Sequence, residues 1–226
     1  MNVKAKVAVC LSKANIQDCE FISCTAAEGG TAIYVESASK TTINNCQFTD
    51  CKSKSTDSQY TIKIVSGTAY FDTCVISFDD NSNAFGGIDL GNQEFNLQNC
   101  MFIKTRSSGS ILFEQSETNS AVSSIVNCTF EECAGETSRC FSLSFSQSSD
   151  LTFKDVVVRK MVESGPNGYF GSISFKNKAN FDINNLTFTE NKCNSLYGGG
   201  SGLLISGTEK ISCRMPIHRQ HSTTNN

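Results

Sequence analysis

A six-residue phrase, apolar-x-x-Cys-x-Phe, returns along the chain and constrains its fold more than any other feature. Its copies are Ile16–Phe21, Ile43–Phe48, Phe71–Ile76, Leu97–Phe102, Ile125–Phe130, Phe153–Val158 and Ile183–Phe188. Cys fills the fourth place in five of them (Cys19, Cys46, Cys74, Cys100, Cys128), and Val156 and Leu186 fill it in the last two. Successive fourth places lie 27, 28, 26, 28, 28 and 30 residues apart. Self-similarity at a period of roughly 20–50 residues marks a solenoid, in which each unit buries its apolar residues only against its neighbours. Chemistry in such a body lies along a repetitive lateral surface instead of in one central pocket.

Counting from the Cys as position zero, apolar or small residues fall at −5 and −3: Ala14/Ile16, Thr41/Ile43, Ala69/Phe71, Phe95/Leu97, Ser123/Ile125, Leu151/Phe153 and Phe181/Ile183. A spacing of two predicts a strand with one buried face. Position −1 is Asp18, Asn45, Thr73, Asn99, Asn127, Asp155 and Asn185. Asn and Asp tolerate left-handed backbone angles, so a bend is expected there. A third strand follows a variable turn, at Ile33–Val35, Ile62–Ile64, Ile88–Leu90, Ile111–Phe113, Leu143–Phe145, Ile173–Phe175 and Leu203–Ile205. Three short strands per unit and no helical period predict an all-β fold, a right-handed parallel β-helix of about seven coils. The phrase also fits a leucine-rich repeat, but only ten Leu occur, and the second half of each unit alternates with period two. The insert from Glu114 to Ala121 is a candidate surface loop.

A single β-helix domain is expected over 1–213, with a disordered polar tail over 214–226. Val7 and Val9 sit where a strand of an earlier coil would be, and Ile211 and Cys213 open an eighth phrase. A chain that begins and ends mid-coil is expected to be a piece of a longer solenoid. Its first ten residues carry no adequate apolar stretch for a secretory leader, and no run of 18 apolar residues predicts a membrane span. A net charge of −3 with 18% charged residues speaks against a nucleic-acid partner.

Several coils resemble the repeats of chlamydial polymorphic outer-membrane proteins and similar protist surface proteins. Those repeats carry Phe-x-x-Asn followed by Gly-Gly-Ala-Ile. Here Phe78-Asp-Asp-Asn81 precedes Gly86-Gly87-Ile88, Phe21-Ile-Ser-Cys24 precedes Gly29-Gly30-Thr-Ala-Ile33, and Phe188-Thr-Glu-Asn191 precedes Gly198-Gly199-Gly200. The likeness spreads loosely over about residues 14 to 205; coil six has neither motif. Coil three admits two registers, with Ile76 or Phe78 as the motif residue. What the resemblance implies is a pectin-lyase-like β-helix, displayed at a cell surface or secreted, that serves adhesion to a host or cell-surface protein or glycan. No cofactor is implied.

The chain has 12 Cys. There is no Cys-x-x-Cys, and His218 and His221 lie in the tail, so ligands converging on one metal are not expected. In a parallel stack Cys19, Cys46, Cys74, Cys100 and Cys128 form a ladder, with Cβ atoms near 4.8 Å apart against the roughly 3.5–4.5 Å of a disulfide. A buried thiol ladder is therefore the preferred reading, with some disulfides or a metal as the alternatives. Cys24, Cys51 and Cys133 form a second, broken row, and Cys140, Cys193 and Cys213 are the candidates for exposed or paired thiols. Phe21, Phe48, Phe102, Phe130 and Phe188 are expected to stack in the core, and Asn45, Asn99, Asn127 and Asn185 to form a ladder at the bend. Asn127-Cys-Thr129 and Asn185-Leu-Thr187 also read as glycosylation acceptors. For an enzyme, the best acidic group is Asp79, Asp80 and Asp89, with Asp50 one coil earlier. Sugar cleavage needs two carboxylates at a set separation. A polysaccharide lyase or hydrolase is the rival to adhesion, and a spacer that binds nothing is a third reading.

Overall fold

The computed structural model describes residues 7–9, 13–26, 30–53, 60–79, 86–91, 94–105, 110–115, 120–133, 140–163, 169–193, 202–207 and 211–214. Every regular element among them is a strand, and every strand pairing is parallel. The first face stacks Lys13–Gln17, Lys40–Asn44, Thr68–Asp72, Glu94–Gln98 and Ala121–Val126. The middle face stacks Glu20–Ile22, Gln47–Thr49, Val75–Ser77, Met101–Ile103 and Thr129–Glu131. The third face is an 8-stranded sheet from Val7–Val9 to Gly202–Gly207. Five coils thus carry three separate strands. In the next two, the first and middle strands fuse into the 11-residue strands Ser149–Arg159 and Ala179–Thr189. This departs slightly from seven equal coils, while the parallel solenoid class holds.

The alternation that predicts the first strand also sets its burial. Thr41, Ile43, Ala69, Phe71, Phe95, Leu97, Ser123, Ile125, Leu151, Phe153 and Phe181 point inward and are buried, whereas Ile16 in the first of these strands is only half-buried. The residue at −1 adopts a left-handed conformation in every coil, with φ from 50° at Asn45 and Asn127 to 62° at Asn185. This one residue reverses the inward sense of the chain, so that positions 0 and +2 face the core after the bend. Its N–H donates to the next coil, as in Asn45 to Asp72 O at 2.9 Å and Asn127 to Lys154 O at 2.8 Å. Two residues later the N–H donates backwards, as in Gln47 to Cys19 O at 2.9 Å and Met101 to Cys74 O at 2.9 Å. Each coil is therefore bonded to both neighbours.

A second left-handed row lies at +4, which the sequence did not reveal. Ser23, Asp50, Lys104, Glu132, Lys160 and Glu190 all have φ between 51° and 56°. Lys and Glu carry no signal for that conformation, which favours Asn, Asp or Gly. Short fourth strands follow it at Thr25–Ala26, Lys52–Ser53, Val162–Glu163 and Lys192–Cys193. Gly67, at φ 77°, opens a first-face strand where a Cβ would stand 2.0 Å from Ala38 O, so only glycine fits that turn.

The register decides one expectation and departs from another. Ile76 pairs with Phe48 and Phe102 and is the motif residue of coil three; Phe78 is buried beyond it, against Gly86. On the third face Phe113 pairs with Leu143, not Phe145, because that strand runs two residues further, and the even step keeps the same side chains inward. The tail from 215 and residues 116–119 of the Glu114–Ala121 insert lie outside the described residues.

Candidate functional site

Cys46, Cys74, Cys100 and Cys128 line up inside the first bend, each between 0 and 3% exposed and each a free thiol; Cys19, in the first coil of the row, is half-buried. Their placement follows from the bend. The left-handed residue turns the −2 carbonyl toward the thiol, which donates to it at 3.1–3.3 Å: Cys19 to Gln17 O, Cys46 to Asn44 O, Cys74 to Asp72 O, Cys100 to Gln98 O and Cys128 to Val126 O. A carbonyl has two lone pairs, so the same oxygen also accepts the N–H of an adjacent coil, as Asp72 O does from Asn45. A small, weakly donating side chain satisfies that geometry, and Val156 and Leu186 fill the place by size alone.

Burial pushes the Cys46 thiol up to about 11. The neighbouring Cys100 thiol and then burial hold Cys74 well above the usual range, and the Cys128 thiol does the same for Cys100. In the second row Cys24, Cys51 and Cys133 are buried, and burial, reinforced by the adjacent Cys24, takes Cys51 up to about 12. Thr105 Oγ1 donates to Cys133 Sγ at 3.1 Å, extending that row with a hydroxyl. Cys140, expected exposed or paired, is instead fully buried and free, because it leads directly into the third-face strand and its N–H donates to Phe170 O at 2.6 Å. The side chains of Cys193 and Cys213 lie outside the described residues.

Thiolate is the reactive form, so the buried thiols held protonated, Cys46, Cys74 and Cys100, react slowly. Cys128, which the hydrogen bond with the Cys100 thiol shifts below its ordinary value, is shielded by its burial alone. In the native protein, Cys46, Cys74, Cys100 and Cys128 are expected to resist iodoacetamide for hours at pH 7.5, with Cys19 labelled first. Peptide mass spectrometry after alkylation reads this directly. Rapid labelling of the four, or disulfides joining them, would contradict the inward placement.

The five ladder phenylalanines do not form one stack. Phe21 lies flat on Phe48 with centroids 4.8 Å apart, and Phe102 on Phe130 at 4.9 Å, but Ile76 separates the pairs. Val158 stands between Phe130 and Phe188, and Phe188 is only half-buried. The continuous aromatic path runs across the core instead, linking Phe130 to Phe141, Phe153 and Phe181, and on to Phe175, Phe145 and Phe113.

The bend asparagines are exposed and donate Nδ2 to the preceding coil. Asn45 reaches Asp18 Oδ1 at 2.7 Å, Asn99 reaches Asp72 Oδ1 at 2.8 Å, Asn127 reaches Asn99 Oδ1 at 2.7 Å and Asn185 reaches Asp155 Oδ1 at 2.8 Å. The row is segmented, since Thr73 bonds Asp72 of its own coil.

Of the acidic trio, Asp79 and Asp89 lie on different parts of the coil. Asp79 is exposed just after the middle face, where its N–H bonds Asp50 Oδ1 at 3.1 Å. Asp89 projects from the third face and pairs with Lys63 at 2.8 Å. Asp80 lies outside the described residues. Reading the sequence for acids also missed a charged cluster between two coils. Glu131 Oε2 pairs with Arg159 at 2.6 Å and its Oε1 with Lys160 at 2.7 Å, because +3 and +4 of one coil meet +3 of the one before. Hydrogen bonds from Lys160 and Arg159 hold the Glu131 carboxyl below its usual range. Among the described residues no three His, Cys, Asp or Glu are grouped to hold a metal, and no helix is long and apolar enough to cross a membrane.

The outer side of the first face is an organised polar surface. Adjacent coils set Lys40, Thr42 and Asn44 beside Thr68, Tyr70 and Asp72, and these beside Glu94, Asn96 and Gln98, in register. Lys40 Nζ sits 4.3 Å over the Tyr70 ring, and Ser124 donates to Asn96 Oδ1 at 2.8 Å. Val122, on the same face, is 61% exposed. Such a surface offers amide, hydroxyl and carboxylate groups at the strand spacing of about 4.8 Å, around one aromatic ring.

A family model described as a right-handed beta helix region matches residues 8–167. No curated protein and no solved structure matches the chain.

Proposed function

The chain belongs to the right-handed β-helix family, and on that premise we propose that it is an interaction rod of a cell-surface or secreted adhesion protein, using the outer side of its first face. The observation that carries this reading is the in-register array around Tyr70, which repeats polar groups over successive coils at a fixed spacing. The Phe-x-x-Asn and Gly-Gly-Ile motifs, as in Phe78–Asn81 before Gly86–Ile88, support surface display through the resemblance they carry. The partner is a host or cell-surface protein or glycan that lies along the rod. Aromatic and amide side chains suit such contacts, because they cover area and make hydrogen bonds at low ordering cost.

The test is binding of the purified chain to intact cells and to a glycan array. Tyr70→Ala combined with Asn96→Ala is expected to weaken binding at least tenfold while the chain stays folded with a slightly lower melting temperature. Both side chains point away from the core and lose only their contacts with Lys40 and Ser124. Binding that survives the double substitution would move the contact to another face. Cleavage of an arrayed polysaccharide, abolished by Asp80→Ala, would replace adhesion with the lyase or hydrolase reading.

A further inference from the structure

We propose that Asn127 and Asn185 are N-glycan acceptors, modified on the extended chain before the coils stack; this rests on the surface-display reading, which takes the chain through a secretory compartment. Four asparagines occupy the exposed bend row, and all four donate Nδ2 to the coil before. Only two of them are followed by a hydroxyl residue in the second place. Asn127 precedes Cys128-Thr129 and Asn185 precedes Leu186-Thr187, whereas Asn45 leads to Gln47 and Asn99 to Met101. The acceptor pattern needs that hydroxyl, so Asn45 and Asn99 are built-in negative controls with the same fold environment.

The bend places both amides on the outside of a corner, where a glycan projects into solvent without displacing any core atom. In the transfer, Asn Nδ2 forms a bond to C1 of the sugar as the C1–O bond to a lipid diphosphate breaks. Nδ2 gives up one proton and the lipid diphosphate leaves. The second Nδ2 hydrogen remains, so the bonds to Asn99 Oδ1 and Asp155 Oδ1 survive modification. The two sites are two coils apart, roughly 10 Å along the rod at the strand spacing, and both lie beyond the coils that carry Lys40, Tyr70 and Asn96.

The order of events follows from the same geometry. In the folded chain Asn127 has φ 50° and Asn185 φ 62°, Cys128 is 1% exposed, and Thr129 is held in a parallel sheet between Met101 and Val157. A transferase needs the three-residue segment free of such pairing, and drawing it out would open the core on both sides.

The experiment translates the full chain behind a secretory leader with microsomes, alongside a His221→Asn variant that creates a control acceptor, followed by Ser222 and Thr223, in the tail. The expected result is two glycosidase-sensitive glycans on the parent chain and three on the variant, falling by one with Asn127→Gln and by one with Asn185→Gln. A control acceptor that is occupied while Asn127 and Asn185 stay bare overturns the proposal without touching the display reading, which surface labelling of intact cells judges separately. The timing is read by offering solubilised transferase and lipid-linked oligosaccharide to the chain before and after folding. At least a tenfold preference for the unfolded chain is expected, and equal modification of both would overturn the ordering.

Discussion

Phe130→Ala is expected to lower the stability of the protein by about 3–5 kcal/mol, the range for removing a fully buried Phe from a packed core. For a chain of this size that corresponds to a melting midpoint lower by roughly 10 °C. Phe130 is 0% exposed and joins two parts of the core, stacking on Phe102 at 4.9 Å and meeting Phe141 edge-on at 5.9 Å. The cavity would open mid-rod, where coils on both sides are fixed by their own neighbours and collapse little. Phe188→Ala, at a half-buried place in the same row, should cost markedly less. Calorimetry on the two variants checks this, and equal losses would show that Phe130 is not a central packing residue.

The second large effect is alkaline. Cys46 and Cys51 have folded-state values of about 11 and about 12 against an ordinary 9.0. Because the folded value is the higher one, the contribution is complete below pH 9. It is then lost as pH rises, since the unfolded chain ionises first and the native thiols resist. Each pH unit between the two values removes about 1.4 kcal/mol per thiol. Denaturant midpoints should be nearly level from pH 7 to 8.5 and fall steeply from pH 9 to 11.5. The combined Cys46→Ala, Cys51→Ala variant should lose only the share of that fall that these two thiols carry, since Cys74, Cys100, Cys133 and Cys140 are also held above the usual range. A level profile to pH 11 in the parent chain would mean that these thiols are not protected by burial.

Much of the fold was legible because its rules repeat. Alternation at −5 and −3 gave the first strand, and Asn or Asp at −1 in six of the seven units gave the first bend, since those side chains tolerate the left-handed angle they adopt; Thr73 takes the same angle without that preference. The second bend was hidden because Lys104, Glu132, Lys160 and Glu190 adopt the same angle without any such preference, held there by bonds to the next coil such as Lys104 N to Glu131 O at 2.9 Å. Cys140 was misjudged because it falls outside the repeated phrase, at the variable turn where spacing gives no inward or outward sense. Two of the acids lie apart for a related reason: Asp79 and Asp89 are 10 residues apart in sequence but belong to different parts of the coil perimeter. The Glu131, Arg159 and Lys160 cluster forms between coils, and a linear reading does not see one coil above another.

The backward and forward hydrogen bonds of each coil have a mechanical consequence. They all run along the rod, so tension applied end to end loads the coils in series, and the end coil can peel away without breaking the next. A repeat of about 27 residues, drawn out at roughly 3.4 Å per residue, lengthens by about 90 Å, less the single strand spacing that it occupied when folded. Under a steady pull the molecule would yield in equal steps and shed load one coil at a time, and each released coil could wind back onto the exposed strand edges of the one that remains.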